Sequence, residues 1–193
     1  MRRTIPAIFT ALSLLAAVPS FATGEIEGLI TQADRERLAS FEKVRTAALR
    51  EARAAGAPED VSVLDGIVNA QALPMRDFDA TGAWQCRTIK LGGPAELVIY
   101  GWFKCRITDD GSGWMLEKLT GSQRTKGRFF TESDTRSTYL GSFYVADEKP
   151  APYGSGPDSD QVGYMTRSGA DAFRIEFPSP AYESRFDILE FRR

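Results

Sequence analysis

The hydrophobic period changes once along this 193-residue chain, at Gly82, and that change fixes the fold class. Before Gly82 apolar residues recur at helical intervals. After it they alternate with polar ones, as in Phe173-Arg174-Ile175-Glu176-Phe177. A helix repeats every 3.6 residues and a strand every two, so neither pattern can do the work of the other. Turn signals divide the second part into about eight strands, at 83–91, 97–108, 114–120, 125–131, 137–145, 161–167, 172–177 and 186–192. The breaks are Gly92-Gly93-Pro94, Asp109 to Gly113, Gly121-Ser122, Glu132-Ser133-Asp134, Lys149 to Asp160, Ser168-Gly169 and Pro178-Ser179-Pro180. Short strands joined mostly by tight turns predict an antiparallel, up-and-down β-barrel over 82–193. The chain as a whole reads as mainly β with an N-terminal α portion.

Residues 23–81 predict a helical hairpin and a linker. The stretch 23–30 reads as a lead-in. Thr31 then offers an N-cap, with Asp34 three positions on. Leu38, Phe41, Val44, Ala48, Leu49 and Ala52 form one apolar stripe, which Gly56 and Pro58 end. Val61, Leu64, Ile67 and Val68 repeat the pattern on a second, shorter helix, and 71–81 is the linker. Such stripes must pack against something.

Residues 1–22 have the design of a secretory signal: Arg2-Arg3, an apolar run from Ile5 to Ala17, and Ser20-Phe21-Ala22 before the cleavage point. The run is too short to span a bilayer, and no second long apolar run follows it. The expectation is a periplasmic or secreted protein, processed near Ala22, with no membrane span.

Composition narrows the chemistry. The chain has no histidine, which removes Ser-His-Asp and Cys-His catalysis, histidine metal ligation and histidine pH switches. A net charge of −2 without a concentrated basic face argues against nucleic acid. Asp109 to Gly113 and Asp158-Ser159-Asp160 lack the ligand set of a calcium loop and read as turns. No Gly-x-Ser-x-Gly elbow or Ser-x-x-Lys motif is present. No cofactor and no metal are expected, and a binding role is favoured over an enzymatic one. A carboxylate-based hydrolase is the weakest reading, because Glu176, one of its two late-strand acids with Glu190, alternates outward.

The two cysteines, Cys86 and Cys105, form one disulfide in an oxidising compartment. A hairpin turning over 94–96 sets Cys86 opposite Cys105 and Trp84 opposite Ile107. The inward face then carries Trp84, Cys86, Ile99, Phe103, Cys105 and Ile107. The other face of the second strand shows Val98, Tyr100 and Trp102, an apolar patch for the helical hairpin or a partner to cover. Arg124, Lys126 and Arg128 alternate along one strand after Lys118 on the one before. These four cations are the candidate ligand-binding residues, against the plainer reading of a solvated face balanced by Glu117, Glu132 and Asp134.

Gly82-Ala83-Trp84 at the start of the first strand resembles the Gly-x-Trp signature of lipocalins and other calycin barrels. The resemblance implies that Trp84 closes one barrel end and that a basic residue near the last strand, Arg192 or Arg193, covers its ring. A longer resemblance rests on Trp84-Gln85-Cys86-Arg87-Thr88-Ile89-Lys90-Leu91-Gly92-Gly93, on Tyr100-Gly101-Trp102-Phe103-Lys104-Cys105-Arg106-Ile107 and on Leu116 through Thr125. These segments resemble the exported bacterial family catalogued as domain of unknown function 4893, which implies export and the cysteine pair but no activity. The functional expectation is a binding module for a small apolar or anionic ligand. The alternative partner is a protein, with this chain as an inhibitor of a cell-envelope enzyme.

Overall fold

The structure, a computed structural model, describes residues 23–193; the expected signal segment 1–22 lies outside the described residues. Four helices come first: α1 (Thr23–Leu29), α2 (Gln32–Ala39), α3 (Phe41–Ala55) and α4 (Pro58–Val68). Nine strands follow: β1 (Gly82–Leu91), β2 (Leu97–Ile99), β3 (Phe103–Asp109), β4 (Trp114–Lys118), β5 (Gln123–Thr131), β6 (Arg136–Val145), β7 (Asp160–Arg167), β8 (Ala172–Pro178) and β9 (Phe186–Arg192). Every strand pairing is antiparallel. From β3 onward each strand pairs with the next, and β1 pairs with both β3 and β9, which closes an eight-strand barrel. The short β2 is an extra strand beside β1.

The expected strand 97–108 is divided. Ile89 stands opposite Ile99, and the Tyr100 N–H donates to the Thr88 carbonyl. Yet Cys86 stands opposite Phe103. Arg87 alone therefore faces both Gly101 and Trp102, the two-against-one count of a β-bulge. The extra residue reverses the facing of everything before it. Ile99, expected inside with Cys105, instead packs on the outer wall with Ile89 and Leu91, while Phe103, Cys105 and Ile107 face the barrel core.

The same shift corrects the register. Trp84 pairs with Cys105 rather than with Ile107, because the turn occupies 92–96 and the bulge adds one residue. Cys86 and Cys105 are diagonal neighbours and do form the disulfide, with Cα atoms 5.9 Å apart. A loop closed across 19 positions stabilises the fold by roughly 3 kcal/mol in the chain-entropy model.

Aromatic rings fill one barrel end. Phe173 stacks on Phe191 at 4.1 Å, Trp84 meets Phe173 edge-on at 4.8 Å, and Phe78 packs beside both Trp84 and Phe173. The Trp84 indole donates to the Ala80 carbonyl at 2.8 Å. The Arg193 guanidinium lies 4.3 Å over the Trp84 ring and donates to the Asp79 and Thr81 carbonyls. Of the two arginines the Gly-x-Trp resemblance implied, Arg193 takes that place, and Arg192 lies over Trp102 instead.

A second core forms outside the barrel. Phe41, Ala48, Leu49 and Ala52 of α3 and Leu64 and Val68 of α4 cover Ile89, Leu91, Phe186 and Ile188. The Phe41 ring meets Tyr164 and Phe186 edge-on. Two details differ from the expected hairpin. The lead-in 23–30 contains α1, and the long first helix is broken at Ser40. There the Ser40 hydroxyl turns back onto the Arg37 carbonyl, which competes with continuation of the helix.

Candidate functional site: the barrel mouth

Alternation along the strands sets up a polar mouth opposite the aromatic end. On β1 the inward residues after Trp84 and Cys86 are Thr88 and Lys90. On β9 they run from Phe191 through Leu189 to Asp187, and β4 adds Lys118 after Leu116. Thr125, Phe143 and Gln161 complete the wall, and Pro180 to Tyr182 lean over it. These residues enclose a cavity of about 50 Å³. Beyond it lies a vestibule of about 650 Å³ that shares Gln123, Phe143, Asp158 and Tyr182 with the cavity.

The charges in the mouth are unequally satisfied. The Lys90 ammonium, 7% exposed, lies 3.4 Å from both Asp187 and Glu183. Glu183 is brought there by a tight approach of two loops. Gly93, at φ +118°, packs so closely that a Cβ would collide with the Glu183 carbonyl oxygen. Ser184 donates to the other Asp187 oxygen. Burial raises the Asp187 carboxyl above the usual range, against the opposing pull of Lys90.

Lys118 is 5% exposed and makes no ion pair among the described residues. Its ammonium donates to the Thr88 hydroxyl at 3.2 Å and sits 4.4 Å over the Phe103 ring. Burial pushes it down to about 8, and repulsion from Lys90 adds to the shift while Asp187 opposes it. An ammonium has three donors, so this one keeps donor capacity beside a cavity. Across the mouth the Thr125 hydroxyl donates to Gln161 and shares a hydrogen bond with the Tyr139 hydroxyl, both at 2.6 Å.

The four candidate cations occupy three different settings. Lys118 is inside. Arg124 stands at the lip, its Nε donating to the Gly121 carbonyl, and lines the cavity. Lys126 and Arg128 are on the outer wall, paired with Glu117 and Asp110. The Val98–Tyr100–Trp102 patch is also divided. Helix packing covers the neighbours Leu97 and Ile99. The Arg87 and Arg192 guanidiniums both lie over the Trp102 ring, and Tyr100 is 40% exposed. Asp109 and Asp110 each accept a backbone N–H two residues on, as turn residues do. Glu176 and Glu190 lie on the outer wall in contact with arginines.

Thr88, Lys90, Thr125, Gln161 and Asp187 were not singled out from the sequence. Parity carried the signal for two of them. Once Trp84 is inside, Lys90 shares its face, and Asp187 shares that of Phe191.

Residues 27–191 match the family described as Domain of unknown function (DUF4893), and the chain belongs to it. No curated protein and no solved structure matches the chain.

Proposed function

We propose that this protein is an exported binding module that holds a small anion, or the anionic head of a larger molecule, in the mouth of its barrel. One observation carries the reading: Lys118 is a buried cation that makes no ion pair among the described residues, and it lines a polar cavity. A buried charge without a counter-charge is unfavourable, and an anion in the cavity would relieve it. A volume of about 50 Å³ suits a few waters or one small oxyanion. The aromatic packing of the other end gives an apolar ligand no comparable space, while the vestibule leaves room for a body attached to the anionic head. Export is supported by the disulfide and by the signal-like sequence of 1–22. Among the described residues no helix is long and apolar enough to cross a membrane.

Isothermal titration with acetate, phosphate and sulfate tests the proposal. Saturable binding of one anion is expected, weakened at least about tenfold in Lys118→Met and unchanged in Lys126→Met. Affinity is expected to fall as the pH climbs past about 8 and Lys118 loses its proton. No saturable binding, or equal binding by Lys118→Met, defeats the proposal.

A further inference from the structure

A ladder of charges runs beneath the helices on the outer wall. Arg45 of α3 donates to Glu176 at 2.8 Å, and Arg174 donates to the other Glu176 oxygen at 3.3 Å. Arg174 stands opposite Glu190 across the β8–β9 pair, and Glu190 is bonded to Arg87 on β1. Three guanidiniums thus share two carboxylates. The surplus falls on Arg174, which is 6% exposed and whose Nη1 is buried without a hydrogen-bond partner. Native interiors rarely leave such a donor unpaired, and a charged one is the costliest kind.

Arg174 also lines a cleft of about 290 Å³ between α4 and strands β1, β8 and β9. Arg87, Ser168 and Glu190 share its walls, and Val63, Ile67 and Ala70 make its helix side apolar. Gly66 leaves that side open, since a Cβ there would meet nothing within 4 Å. Glycine inside a helix is unfavourable, so the opening is kept at some expense to α4.

We infer that this cleft is a second binding site, distinct from the barrel mouth, for a small amphipathic carboxylate. The carboxylate would accept a charge-assisted hydrogen bond from the unpaired Arg174 Nη1. The apolar portion would lie against Val63 and Ile67. The walls are mostly apolar, with two arginines against the single acid Glu190, and favour such a molecule over inorganic phosphate, which has no apolar part to bury.

Benzoate is the probe, followed by the NMR signals of the Gly66 amide and the Arg174 Nε–H in the intact disulfide-bonded protein. Saturable shifts of both signals are expected, with Lys118→Met unaffected. Arg174→Met should weaken binding at least about tenfold. Gly66→Leu keeps every charge, adds a better helix former and fills the cleft, so it should abolish the shifts even if Arg174→Met folds poorly. The inference is overturned if benzoate gives no saturable shift, or if both variants bind it as the parent does. It is also overturned if inorganic phosphate displaces benzoate at equal concentration.

Discussion

Lys118 shows how one residue ties stability to pH. Its ammonium titrates near 10.5 when unfolded and near 8 in the folded protein. Below pH 8 both states carry the proton, and the folded state bears the full penalty, about 3 kcal/mol at 1.36 kcal/mol per unit. Between 8 and 10.5 the unfolded chain holds more protons than the folded one, so stability rises with pH across that window. Urea unfolding of the parent and Lys118→Met at pH 7 and again near pH 10 checks this. Lys118→Met is expected to be the more stable at pH 7, and its advantage should shrink towards pH 10. The sequence marked Lys118 as a cation but placed it in one row with Arg124, Lys126 and Arg128. Parity can be followed along a strand, but it restarts at every turn. The turn at 119–122 puts Lys118 inside, leaves Arg124 at the lip of the cavity, and turns Lys126 and Arg128 to the outer wall.

At the scale of elements, the eight strands of the barrel and the helical stripes were legible because each rests on a local period. Register was not, because it depends on where a turn is centred and on whether a strand carries an extra residue. The bulge opposite Arg87 had one sequence trace, the glycine at 101 inside an otherwise strand-like run. That bulge decides which side of the sheet Ile99 joins. The break at Ser40 left less trace, since the apolar stripe continues through it. A second glycine device lies in the β5–β6 pair, where Gly127 and Gly141 stand opposite each other. A Cβ on Gly141 would collide with the Tyr139 hydroxyl, and one on Gly127 would collide with the Gly141 backbone. The fully buried Tyr139 ring occupies the space that Gly141 vacates. Gly141→Ala is therefore expected to cost about 2 kcal/mol or more through overpacking, read as a lowered urea midpoint with an unchanged slope.

For the whole molecule, the two cores share the β1 and β9 strands. Trp84, Cys86, Leu189 and Phe191 face the barrel interior, while Ile89, Leu91, Phe186 and Ile188 face the helices. The helical layer is thus a second skin on the seam where the barrel closes. Phe41 fastens it, through Tyr164 on β7 and Phe186 on β9. Phe41→Ala is expected to destabilise the protein by about 3–5 kcal/mol. Hydrogen exchange should show α2 and α3 losing protection first, ahead of the interior residues of β5 and β6. Equal loss across both regions would show that the layers unfold as one unit.

The β1–β9 pairing brings Gln85–Leu91 against Phe186–Arg192, segments about a hundred positions apart in a chain whose other ladders are mostly local. Such a ring stays open until its final rung has left the ribosome. A product cut short before Phe186 would be no smaller version of the domain. It would carry two raw margins, along β1 and β8, each a template for joining a neighbouring chain.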